Sequence, residues 1–149
     1  MLDLAYHSAS TPVTLTEIAA RQTISLSYLE QLFAKLRKGN MVTGIRGPGG
    51  GYKLSREAIL INIADIVAAV DEPLDSTKCG GKANCQDNLP CLTHELWTGL
   101  SEKIRNYLED ISLGDLLEKN HVITVAQRQD QKFAMQAAAM VNEQVECSL

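Results

Sequence analysis

The chain has 149 residues, 45% apolar and 5% aromatic, with 18 acidic against 14 basic side chains and a net charge of −4, which suits one compact domain with or without an appendage. There is no run of 18 apolar residues, which excludes a membrane-spanning helix. The opening MLDLAYHSAS has neither a basic start nor a small-residue cleavage site, so no export signal is read and a cytoplasmic protein is expected. Four cysteines in a chain without export belong to a reducing compartment, as thiols or metal ligands.

In chain order, Met1 to Ala9 reads as a helix already under way, with Met1, Leu2, Leu4 and Ala5 apolar, and Ser10-Thr11-Pro12 stops it. Thr14 or Thr16 can cap a short second helix whose inward face is Leu15, Ile18 and Ala19, and Gln22-Thr23-Ile24 is the turn after it. A third helix carries Leu29, Leu32, Phe33 and Leu36 at i, i+3, i+4 and i+7, one buried stripe. Ser27 with Glu30 matches a capping box, and Ser25 suits the same role two residues earlier. Lys35, Arg37 and Lys38 suit the negative end of this helix, and Gly39 suits a left-handed stop. Met41 to Arg46 and Tyr52 to Leu54 then form two strands around Gly47-Pro48-Gly49-Gly50-Gly51.

Asn62 caps a helix with Ile63, Ile66, Val67 and Val70 on one face, and Asp71 to Thr93 is a Gly-, Asp-, Asn- and Cys-rich loop without periodicity. A loop of that length calls for a function or a staple. Thr93 opens what reads as the longest helix, striped by Leu96, Trp97, Leu100, Ile104, Leu108 and Ile111, and Ser112 with Asp115 starts a short helix bearing Leu113, Leu116 and Leu117. From residue 120 the chain turns polar and Gln/Ala-rich, and it is expected to be mostly disordered, with Cys147 a lone exposed thiol. The expected fold is therefore mainly α with a small β hairpin. It comprises a winged helix-turn-helix DNA-binding domain at 1–71, a metal-binding loop at 72–92, a dimerisation helix with a short follower at 93–119, and a tail at 120–149.

Net charge taken whole argues weakly against a nucleic-acid binder, but its distribution points the other way. Residues 34–56 hold six basic side chains and no acid, whereas 61–120 balance at −6. The buried stripe of the third helix leaves Ser27, Tyr28, Glu30, Gln31 and Lys35 outward, where such a helix meets base edges in the major groove. Gln31 has the fork that suits adenine. Arg46 at the hairpin tip is placed for a narrow A/T minor groove, while Gly47 and Gly49 leave a tip with little bulk, able to approach a backbone closely. Lys35, Lys38, Lys53 and Arg56 read as phosphate contacts. Glu30 is the odd residue: an acid repels phosphate, so it is either only a cap or a discriminator that tolerates cytosine amino groups.

Cys79, Cys85, Cys91 and His94 follow the spacing C-x5-C-x5-C-x2-H. Structural zinc sites usually pair close cysteines with a distant second pair, whereas these intervals suit a loop wrapped round something larger than one ion. Three thiolates and an imidazole would complete the four terminal positions of a 2Fe–2S cluster. Cys3His is also a proper zinc set, so spacing alone tilts only slightly to iron–sulfur. Three functions stay open: a cluster-sensing regulator, a zinc-stapled winged-helix regulator that senses nothing, and an iron–sulfur carrier or electron-transfer protein. An enzyme is not expected, since His7, His94 and His121 lie near no serine–acid set or phosphate loop.

The run Ser25-Leu26-Ser27-Tyr28-Leu29-Glu30-Gln31-Leu32-Phe33, the hairpin Arg46 to Tyr52, Ala69-Val70-Asp71-Glu72, and Cys91-Leu92-Thr93-His94 with Leu96-Trp97 resemble the bacterial iron–sulfur cluster regulators, winged-helix transcriptional repressors, over residues 1 to about 120. The resemblance implies a homodimer carrying one 2Fe–2S cluster per chain on Cys79, Cys85, Cys91 and His94, loaded by the cluster-assembly machinery. It also implies binding to palindromic promoter sites on double-stranded DNA. In that family the loaded form represses the cluster-assembly operon, the cluster-free form binds a second class of sites, and the residue matching Glu30 helps tell the two apart. Members also begin with further residues that open the first helix, within which Met1 falls here.

Overall fold

The computed structural model describes residues 1–8, 11–71, 74–77 and 79–146. Glu72 of the resembling motif, Lys78 and Cys147 lie outside the described residues, as do Ala9 and Ser10 of the expected first helix and its stop. The architecture is mainly helical with one two-stranded antiparallel sheet. Among the described residues no helix is long and apolar enough to cross a membrane.

Helix α1 (Leu2–His7) and helix α2 (Leu15–Gln22) open the chain. Thr14 is the cap of α2 and completes a capping box with Glu17, so two otherwise unpaired amides are satisfied. Thr23, at φ 56°, ends the helix and makes the turn. Helix α3 (Leu26–Lys38) buries Leu29, Phe33 and Leu36. Its cap is Ser25, whose hydroxyl accepts from the Tyr28 amide, so Ser27 is free of that task and faces solvent.

The end of α3 departs from expectation. Gly39 sits at φ −77°, and the left-handed residue is Asn40, at φ 56°. Gly39 answers a different need: a Cβ there would lie 2.9 Å from the Cβ of Ala69.

Strands β1 (Val42–Ile45) and β2 (Gly51–Leu54) pair in the register Val42 with Leu54 to Ile45 with Gly51. Val13 exchanges two backbone hydrogen bonds with Tyr52, and the Tyr52 ring stands edge-on to Phe33 at 4.9 Å. The wing is tied to the core through this aromatic contact and bridge and through Val42, which is 2% exposed at the base of β1.

A 3₁₀ turn at Ala58–Leu60 leads to helix α4 (Ile63–Ala69), capped by Asn62. Helix α5 (His94–Glu109) packs on α4, and helix α6 (Leu113–Leu117), with a Ser112–Asp115 capping box, carries the chain back. Leu113 is 1% exposed and joins Leu4, Ile18, Ile61 and the α3 stripe in a single core.

The segment expected to be disordered is instead helix α7 (Asn120–Glu146), 27 residues long, so α5 is not the longest helix. Its composition, rich in Ala and Gln, favours helix intrinsically. It is also held by contacts that its own pattern could not reveal: Gln129 exchanges hydrogen bonds with Gln22, His7 Nε2 meets Asp130 at 2.8 Å, and Arg21 lies over the Phe133 ring.

Beneath these contacts lies a nearly dry ion pair. Arg21 donates twice to Asp3, at 3.0 and 2.8 Å, and Gln22 donates to the same carboxylate. The two charged side chains are 6% and 5% exposed. Burial alone would push the Asp3 carboxyl up, but the hydrogen bonds from Arg21 and Gln22 and the guanidinium charge outweigh it and hold it below the usual range.

Candidate metal centre and nucleic-acid interface

The cysteine loop is tied to α5 at its entrance. The Ser76 amide donates to the hydroxyl of Ser101, which is buried in α5 and itself donates to the Trp97 carbonyl. Asp75 accepts from the Thr77 amide at 2.7 Å, and the Thr77 hydroxyl accepts from Gly81. Beyond that anchor the backbone reverses repeatedly: Gly80, Gly81, Ala83, Asp87 and Asn88 all have positive φ. Asp87 and Asn88 are the two central residues of a tight turn closed by paired hydrogen bonds between Gln86 and Leu89. Gly80, Gly81, Asp87 and Asn88 are therefore left-handed turn residues.

The folding of the loop brings three donor atoms together. Cys85 Sγ is 3.4 Å from Cys79 Sγ and 3.4 Å from His94 Nδ1, and Cys79 Sγ is 3.6 Å from the same nitrogen. All three ligand atoms lie within 4.8 Å of one another. Cys91 lines the same cavity with Ser76, Asn84 and Trp97, but its thiol turns to the Thr93 hydroxyl at 3.7 Å and stands outside the triad. The cavity, about 560 Å³, has room for more than one ion.

The thiols are electrostatically distinct. Burial would push Cys79 up, yet hydrogen bonds from Thr77, Cys85 and the Ala83 and Gly81 amides bring it down to about 6. Thr93, through its hydroxyl and amide, lowers Cys91. A hydrogen bond from the Cys91 amide pulls Cys85 down, but the neighbouring Cys79 and Cys91 sulfurs and desolvation push it up further, and the net direction is up. A loop that holds cysteine sulfurs close together with an imidazole is a soft-metal donor set.

The remaining residues singled out by sequence form a second surface. Ser27, Tyr28, Glu30, Gln31, Lys35 and Lys38 are all exposed on α3, with Arg46, Gly47 and Gly49 exposed at the wing tip and Lys53 half-buried on β2. Lys35 is engaged within the protein: its Nζ donates to the Val70 carbonyl at 3.0 Å and pairs with Asp71. Arg56 donates to the Asn40 and Leu60 carbonyls and reaches Asp65, so it ties the hairpin to α4.

On α5, the first half of the apolar stripe is uncovered, with Leu96 67% exposed, Trp97 44% and Leu100 40%, while Ile104 and Leu108 are half-buried, as is Ile111 just beyond the helix. Ser101, Thr77 and Asp75 had no sequence signal, because a serine inside a helix and polar residues in a loop are ordinary solvent residues until the fold covers them; Thr93 was legible only as the start of α5, not as a partner of Cys91.

Comparison with known proteins places these features in company. A family model described as "Rrf2: Iron-dependent Transcriptional regulator" matches residues 1–119. A Vibrio vulnificus protein named HTH-type transcriptional regulator IscR is 53% identical over 135 residues, covering 91% of this chain and 80% of that one. Among solved structures, T. potens IscR matches with a TM-score of 0.64 and 35% identity over 78% of this chain and 77% of that one. CymR, described as the global cysteine regulator of B. subtilis, matches with a TM-score of 0.66 and 29% identity over 78% and 85%.

Proposed function

Because the chain belongs to the Rrf2 family of iron-dependent transcriptional regulators, we propose that it is a homodimeric DNA-binding regulator that senses iron–sulfur status through a 2Fe–2S cluster. The observation that carries this reading is the convergence of Cys79, Cys85 and His94 in one cavity, with Cys91 on its wall. Three thiolates and an imidazole supply the four terminal positions such a cluster needs. The low pKa of Cys79 suits a ligand that must be deprotonated to bind. When bound, the cluster would supply a labile centre, since a neutral imidazole can be protonated and lost more readily than a thiolate, and the chain's own residues would turn that occupancy into DNA choice.

In this reading Ser27, Tyr28 and Gln31 meet base edges, Glu30 discriminates between sites, and Arg46 enters the minor groove with Gly47 and Gly49 against the backbone. Lys38 and Lys53 hold phosphates, with Lys35 shared between DNA and its Asp71 pair. The uncovered α5 stripe packs across a two-fold axis and gives a dimer that reads a palindromic site. The cluster-assembly machinery would be both the cluster donor and, through its genes, the target. The decisive experiment is anaerobic purification with metal and acid-labile sulfide analysis. Iron and sulfide in equal amounts are expected, and stoichiometric zinc without sulfide would replace this reading with a structural-zinc regulator.

A further inference from the structure

The two ring nitrogens of His94 face different neighbours. Nδ1 points to the thiols, 3.4 Å from Cys85 Sγ and 3.6 Å from Cys79 Sγ. Nε2 points along the helix to the hydroxyl of Thr98, one turn on, at 3.4 Å. A spacing of four residues puts both side chains on one face of α5, and both are half-buried. The hydroxyl is therefore held in place by the helix itself rather than delivered by the loop.

An imidazole that binds metal through one nitrogen carries its proton on the other, and whatever accepts that proton fixes the tautomer and the rotation of the ring. A threonine hydroxyl can accept such a bond. Among the described residues Thr98 is the hydrogen-bond partner of Nε2. It also lines a polar hollow with Asp75, Thr77 and Ser101, the residues that anchor the loop.

From this geometry we infer that Thr98 is a positioning residue of the metal centre: its hydroxyl accepts the Nε2–H of His94 and commits Nδ1 to be the ligating atom. This rests on reading His94 as a ligand of an iron–sulfur cluster. The ring would otherwise be free to present either nitrogen, and an imidazole already placed and correctly protonated binds more tightly and leaves more slowly. A neutral hydroxyl is a weaker acceptor than the carboxylates that often fill this role, so the effect belongs at the lower end of the 10–100-fold range typical of such supporting groups.

The test uses the full chain, loaded anaerobically, as wild type, Thr98→Ser and Thr98→Val. Iron release to a chelator is timed, and pulsed EPR is recorded on the reduced proteins with histidine labelled by 15N at Nδ1 alone. Wild type and Thr98→Ser are expected to show strong coupling from the labelled nitrogen and to release iron at rates within about twofold of each other. Thr98→Val, which keeps the shape and loses the acceptor, is expected to load the same iron and release it roughly tenfold faster. Coincident melting curves of the cluster-free proteins would confine that difference to the ligand. Release from Thr98→Val at the wild-type rate, or strong coupling from Nε2 in the wild type, overturns the assignment while leaving the cluster reading intact. A wild-type chain that takes up no iron overturns the cluster reading, and this inference with it.

Discussion

At the scale of single residues, the Asp3–Arg21 pair makes the sharpest statement about stability. Its carboxyl is depressed in the folded state, so its contribution is fully present above the unfolded carboxylate value of about 3.9 and is lost as pH falls through the folded value. Acid melts should therefore show wild type losing stability below about pH 4, with Asp3→Asn flatter over that window. At neutral pH the same substitution strands Arg21, nearly buried, and should cost about 3 kcal/mol by denaturant titration. At the DNA face, Arg46→Ala should weaken binding most where an A/T tract lies beneath the wing. Lys38→Ala should weaken all sequences alike and lower the salt slope by about one unit; a shift in sequence preference with Lys38→Ala but not with Arg46→Ala would exchange the two roles. At the metal centre, Cys79→Ala, Cys85→Ala, Cys91→Ala or His94→Ala should each abolish stable cluster binding in a folded dimer, read as lost visible absorbance. Full occupancy in Cys91→Ala would mean that the thiol now on Thr93 is no ligand.

At the scale of elements, α5 and α7 carry contrasting lessons. The α5 stripe is too apolar to stay wet, and each leucine fully covered there contributes on the order of 2 kcal/mol to association. Leu100→Asp should therefore give monomers by sedimentation, and an unchanged dimer would move the interface elsewhere. Removing residues 120–149 should lower the melting temperature by several degrees, since α7 meets α1 and α2 at His7, Gln22 and Arg21. The stripe of α5 and the α3 core face were legible from periodicity, and the hairpin and the Asn62 and Ser112 caps from turn and cap chemistry, whereas the choice of Thr14 over Thr16 was open. Helix α7 was not, because its partners are polar side chains more than a hundred residues away in the chain. The choice of Ser25 over Ser27 as cap was open in the sequence, since both hydroxyls precede suitable amides. Three of the four expected metal donors were brought together by the fold. The fourth, Cys91, meets the hydroxyl of a threonine two residues on, a contact that spacing does not weigh.

At the scale of the whole molecule, the loop reports to α5, α5 packs on α4, and α4 lies against the end of the recognition helix α3. In the proposed reading, sensing needs no large rearrangement: the loaded and empty forms would differ only in their tolerance for Glu30 at the DNA surface. Adding Glu30→Ala to Cys91→Ala should let the cluster-free protein bind sites otherwise reserved for the loaded form, because a repelled carboxylate is removed. Titrations on both site classes decide it, and equal discrimination by the single and double variants would leave Glu30 no role in sensing.

The contact of Gly39 with Ala69 gives this chain of elements its stiffness. Where two helices meet through long side chains, rotamer changes absorb small displacements, as a spring absorbs a push. Here the Ala69 methyl lies against the bare backbone of Gly39, with no room for even one added carbon. The joint has no side chain to absorb a displacement, so in the proposed reading a shift of α4 would be passed on to the end of α3.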